Sequence, residues 1–246
     1  MIDTHAHILD CYYDNIDELI NFLKENGVLY VLNASSNYDE ALEIIEKSKK
    51  YNILLPVIGI HPEFVNEADK LDNIEELIKN NKIYAVGEIG LDYHYTKENK
   101  EEQKELFIKQ IELANKYNLP VIVHTRDSIG DALDIIKTHK CRGIMHCFSG
   151  SYEMAKEFIK YGFKLGIGGV LTFKNSKLYE VIEKIDLKDI VLETDSPYLS
   201  PEPLRGKQNN PSNVFLVAKR IAEIKGIDVE KVIEITTENA RSIFDF

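Results

Sequence analysis

The chain has 246 residues, 44% hydrophobic and 29% charged, and its 41 Asp and Glu against 30 Lys and Arg give a formal net charge of −11. That length suits one barrel-sized α/β domain, and the acidic balance excludes bulk electrostatic attraction to nucleic acid or to an anionic membrane. Cys11, Cys141 and Cys147 are too few and too scattered for a disulfide framework or a thiolate zinc site. No run approaches the ~20 apolar residues of a membrane span, so the expectation is a cytoplasmic protein with no membrane contact and no obligate protein partner.

The first predicted strand is MIDTHAH (1–7), in which His5 and His7 are two residues apart and therefore on one side of the strand. A second strand is expected at 28–34, a helix at 38–51, and strands at 53–61 and 83–90. A charged segment with a 3.6-residue apolar period predicts a helix over 97–118, followed by strands at 120–125 and 142–147. A further helix at 151–162 and strands at 163–169 and 190–195 complete the pattern.

Eight β-branched strands alternating with helix-length segments in 246 residues predict an α/β fold, a (β/α)8 TIM barrel in a single domain over 1–246. A doubly wound open sheet is the competing architecture. Against it, HILDCYYD stands after the first strand where a dinucleotide fold would carry GxGxxG.

Catalytic groups of such a barrel come from the C-terminal ends of the strands. His5 and His7 end the first predicted strand, His61 the third, Glu88 the fourth, His124 the fifth, His146 the sixth and Asp195 the eighth, and of the seven histidines only His94 and His139 fall elsewhere. Any one of these alone reads as a loop cap or a solvated group. Together, four imidazoles and two carboxylates in one mouth are too costly to bury without a partner, and divalent metal is the economical one.

Six side chains with one bridging carboxylate suit two ions and leave positions for water and substrate. The expected binuclear site puts His5, His7, Glu88 and Asp195 on one ion and Glu88, His124 and His146 on the other, with Glu88 bridging. The mixed donor set suits Zn, Mn, Fe or Co better than Mg.

The motifs GIHP, GEIGLDYH, HTRD, HCFSG, LETDSPYLSP and RGKQNNPSNV, after an opening DTHAH, occur in the order of the TatD family of metal-dependent deoxyribonucleases, which the chain resembles from Ile2 to the closing TTENARSIF. The resemblance implies a binuclear hydrolase (Mg, Mn or Zn) that cleaves phosphodiester bonds of DNA, as a 3′ to 5′ exonuclease acting on single strands or 3′ ends. Its metal positions match His5, His7, Glu88, His124, His146 and Asp195, and its substrate-contacting histidine matches His61. Two departures stand out: Glu63 replaces a frequent histidine, and Gln208 and Asn210 replace a cation and a carboxylate in the loop after the eighth strand.

Asp195, with Glu88 beside it, is the expected catalytic pair, Asp195 as general base or proton shuttle. Arg126, Arg205 and Lys207 are the expected phosphate contacts, and Tyr93, Tyr95 or Tyr198 could stack on a base. One competing function is a metal-dependent amide or ester hydrolase such as a D-aminoacyl-tRNA deacylase. Against the carbonyl-directed relatives, no lysine ends the fourth strand where many of them carry a carboxylated one. The other is a non-catalytic metal-stabilised binding protein.

Overall fold

Eight strands lie side by side in chain order, each parallel to the next. They are β1 (Ile2–Ala6), β2 (Tyr30–Ala34), β3 (Leu54–Ile58), β4 (Ala85–Asp92), β5 (Val121–Arg126), β6 (Gly143–Met145), β7 (Phe163–Ile167) and β8 (Ile190–Leu192). The computed structural model describes every residue from Met1 to Phe246. Each predicted strand is present, but the ladders stop early, so that His7, His61, His146 and Asp195 stand one to three residues past the end of theirs.

Helices α1 (Ile16–Glu25), α2 (Tyr38–Lys50), α3 (Leu71–Asn80), α4 (Lys100–Lys116), α5 (Ile129–Thr138), α6 (Tyr152–Lys160), α7 (Leu178–Lys184), α8 (Val214–Lys225) and α9 (Val229–Ile243) form the outer layer. Helix α2 shows why: the Asn37 side chain accepts the Glu40 N–H at 3.0 Å to start it. Ala41, Ile44 and Ile45 then bury one face at i, i+3 and i+4. No helix is long and apolar enough to cross a membrane.

The sheet closes where the chain beyond β8 meets β1. Thr4 Oγ1 donates to the Leu192 carbonyl at 3.0 Å, Thr194 N–H to the buried Asp3 carboxylate at 2.9 Å, and Asp195 N–H to the His5 carbonyl at 3.0 Å. His7 N–H then reaches the Ser196 carbonyl at 2.7 Å. Burial pushes the Asp3 carboxyl well above the ordinary range, against the pull of its bonds from Thr194 and His5.

The barrel interior below the mouth is filled by Ile2, Leu32, Leu55, Ile122, Ile144 and Val191, joined by Ala85 of β4 and by Phe244 just past α9. In β5 and β6 the inward residue is followed two places later by a histidine, Ile122 by His124 and Ile144 by His146, as a period of two requires. In β1 and β4 the spacing is three, Ile2 to His5 and Ala85 to Glu88. Both strands have a register irregularity at that point, between Asp3 and Ala6 and between Val86 and Ile89. An odd residue in a ladder flips the face, and these two flips turn His5, His7 and Glu88 inward.

Candidate metal centre

All six expected donors converge at the C-terminal mouth. His5 and His7 Nε2 are 3.1 Å apart. Glu88 Oε2 lies 3.3 and 3.6 Å from them, and Asp195 Oδ1 3.7 Å from each. A tetrahedral site with ligands at roughly 2.0–2.1 Å has edges of about 3.3 Å. The spacing of His5, His7 and Glu88 is therefore that of one face of a divalent site, with Asp195 reaching the two imidazoles from another side.

The other oxygen of Glu88 faces a second group. Glu88 Oε1 is 2.7 Å from His124 Nδ1, 3.6 Å from His146 Nε2 and 3.8 Å from His61 Nε2. His146 Nε2 is also 3.8 Å from Asp195 Oδ1. One carboxylate thus looks two ways, as a bridging ligand would.

Tautomers test whether the donors are free for metal. A carbonyl can only accept, so His7 Nδ1 donates its hydrogen to Ala34 O at 2.9 Å and leaves Nε2 as a bare lone pair. His146 Nδ1 donates to Glu193 at 3.2 Å, which turns its Nε2 towards Glu88 and Asp195, where it becomes a lone-pair donor once its proton is displaced. In a buried site these Nε2 atoms and carboxylate oxygens face one another only with positive charge between them, supplied by ring protons or by a metal ion. His5 Nδ1 is buried without any partner. The donor set fits divalent metal.

Charge follows the same logic. Burial opposes ionisation of Glu88, but His5, His146, His124 and His61 around it hold its carboxyl well below the ordinary range. Burial also opposes protonation of His146 and His124; Glu193 and Glu88 nevertheless raise His146 to about 10, and Glu88 and Asp92 raise His124 to about 9. His61 goes the other way, to about 3, because its burial outweighs the pull of Glu88. Its Nδ1 accepts the Glu63 N–H at 3.2 Å, so the neutral ring presents Nε2–H to the cavity.

Three residues that the motifs did not single out position the donors. Glu193, fully buried, takes the Cys147 N–H at 2.7 Å as well as the His146 imidazole. It fits because Gly166 has no side chain: a Cβ there would lie 2.2 Å from Glu193 Oε2. Asp92 accepts from His124 Nε2 at 3.2 Å, the carboxylate–histidine arrangement that orients a ligand ring. Gln110 of α4 bonds both backbone groups of Ile60, at 2.8 and 2.9 Å, and so anchors the residue before His61. A glutamine on the apolar face of a helix was the available signal for Gln110; for Glu193 and Asp92 it was their place inside LETDSPYLSP and GEIGLDYH.

The expected substrate contacts divide. His61 and Arg126 line a cavity of about 410 Å3 over the donors, with Tyr12, Tyr95 and Tyr198 in its walls. Arg205 and Lys207 do not. The Arg205 guanidinium is stacked 3.8 Å over Phe173, and Lys207 is exposed. Tyr93 is buried, donating to Asp131 at 3.0 Å, and so offers no face to a base.

His94 sits outside the cavity beside Asp127 at 3.2 Å, and His139 lies at the end of α5. The two departing positions serve the loop: Gln208 donates to the Tyr12 carbonyl, and Asn210 Oδ1 accepts from Ser212 N–H at 3.0 Å.

The family model described as "TatD related DNase" matches residues 2–245. The chain is 41% identical to the metal-dependent hydrolase YabD of Bacillus subtilis, over 99% of this chain and 98% of that protein. It is 32% identical to the human deoxyribonuclease TATDN3, over 99% of this chain and 94% of that protein. Its backbone matches the crystal structure of YJJV, a TatD homologue from Escherichia coli, with a TM-score of 0.94 at 27% identity, covering 100% of this chain and 98% of that one. A (β/α)8 barrel whose mouth gathers donors fit for divalent metal, matched along its length by these relatives, belongs to the TatD family of metal-dependent hydrolases.

Proposed function

We propose that the protein hydrolyses phosphodiester bonds of DNA, as a 3′ to 5′ exonuclease on single strands or 3′ ends, with two divalent ions held by His5, His7, Glu88, His124, His146 and Asp195. The observation that carries the two-ion reading is Glu88, whose Oε2 faces His5 and His7 while its Oε1 faces His124 and His146. The human relative is named a deoxyribonuclease, which supports the choice of substrate.

Divalent ions at these donors would acidify a water molecule and offset charge on the phosphoryl oxygens. The remaining work belongs to the chain. Asp195 keeps 17% of its side chain exposed, against 0 to 7% for His5, His7 and Glu88, so it is the carboxylate that can take a proton and pass it to solvent. His61 donates Nε2–H to a phosphate oxygen, and being neutral it does so without a counter-charge. Arg126 offers a guanidinium held in place by Tyr95, at 3.4 Å to the hydroxyl and 5.2 Å over the ring.

The test compares 5′-labelled single-stranded DNA with D-aminoacyl-tRNA, each with Mg, Mn or Zn and with chelator. Stepwise shortening from the 3′ end that chelation abolishes is expected. Rapid deacylation with no nucleotide release would transfer the proposal to the ester-hydrolase reading.

A further inference from the structure

We infer that the site accepts one phosphodiester at the end of a short strand and has no track for a long backbone. This rests on the DNase reading above and narrows its substrate.

Arg126 is the only Lys or Arg lining the cavity. Apart from Glu88 and Asp195, three more carboxylates line it, Glu40, Glu63 and Asp92. Glu40 is tied to Ser36 N–H at 2.7 Å and Asp92 to His124 at 3.2 Å. Glu63 has no Lys or Arg partner; its neighbour is the neutral His61, 3.8 Å away. A backbone leaving the metals on that side meets negative charge.

The adjoining grooves of the same face offer no relief. In the groove beside α5, Lys100 is outnumbered by Asp127 and Asp131. In the groove between α6 and α7, Lys177 and Lys184 are matched by Glu153 and Glu180. Arg205, stacked over Phe173, does not line the cavity.

What the mouth provides instead is aromatic. Tyr12 and Tyr198 form one wall, their hydroxyls 2.7 Å and their rings 5.7 Å apart. Tyr95, 72% exposed, forms the other. Stacking holds a base without counterion release, so it is insensitive to salt. The cavity volume of about 410 Å3 lies at the small end of the roughly 300–1,000 Å3 range of small-molecule sites.

The experiment uses the Mn-loaded protein with oligothymidylates of two to twelve nucleotides, as phosphorothioates for equilibrium binding and as phosphodiesters for initial rates. Affinity and kcat/KM are expected to change less than about threefold with length. The slope of log affinity against log salt is expected to be no steeper than about −1.5, since each phosphate contact on a single strand contributes roughly −0.7. A tenfold gain with length, or a steeper slope, with hydrolysis intact overturns this inference alone. No hydrolysis at any length overturns the DNase reading beneath it. An E63K protein is expected to gain affinity for the twelve-mer at least threefold more than for the two-mer; equal gains on both overturn the role given to Glu63.

Discussion

Glu193 receives the Nδ1–H of His146 at 3.2 Å inside the barrel, and both side chains are buried. This bond keeps His146 Nε2, the atom that must shed its proton to ligate, aimed at the donor cluster. Glu193→Ala is expected to weaken binding of metal roughly 10–100-fold, read by titration calorimetry. Gly166→Ala should have the same effect without touching either residue, because its Cβ would displace Glu193 Oε2 from 2.2 Å. A G166A protein with unaltered metal affinity would separate Glu193 from the metal.

Replacing His5 and His7 together by Ala removes both imidazoles of one cage. The expected outcome is loss of one ion per chain by elemental analysis and a fall in hydrolysis of at least about a hundredfold, with a cooperative thermal transition retained. Full activity in that double variant would defeat the site assignment.

Metal binding should release protons. With His146 at about 10 and His124 at about 9, both rings are protonated at pH 7 in the metal-free protein. Each must lose a proton to become a ligand. Metal affinity is therefore expected to rise with pH between 7 and 10, and calorimetry in buffers of different ionisation enthalpy should count about two protons displaced.

The same shifts set the stability of the metal-free protein. Both folded values lie above the ordinary 6.5, so their contribution is fully present below pH 6.5 and is lost as pH rises through about 9 and 10. The melting temperature of the metal-free protein should fall across that window. The metal-loaded protein, whose rings carry no such protons, should show a smaller fall.

Gln110→Ala leaves the buried N–H and C=O of Ile60 unpaired. Each such group costs roughly 1–3 kcal/mol, to be read as a shift in denaturation midpoint. Because Ile60 precedes His61, KM for an oligonucleotide should also rise. Lost stability with unchanged KM would confine Gln110 to the fold.

Strand and helix positions were legible because a core-facing pattern is local: Ala41, Ile44 and Ile45 declare the buried face of α2 within five residues. The six donors were legible because their chemistry and their strand-end placement coincide, and because the motifs around them match a family. Arg205 and Lys207 were chosen from loop position alone, and neither lines the cavity. Their loop adjoins β8, but Phe173, from the loop after β7, draws Arg205 aside.

By itself the sequence determined the eightfold alternation, the residue types at the strand ends and the family. Only the tertiary structure decided which of those residues face inward. A period of two carried His124 and His146 into the mouth from Ile122 and Ile144, whereas His5 and Glu88 arrive there through register irregularities in β1 and β4. Such a flip depends on the neighbouring strand, not on the residues that undergo it. The supports came from farther still: Asp3 meets Thr194 across 191 residues of chain, and Glu193 meets His146 across 47. Those partners exist only once the barrel has closed.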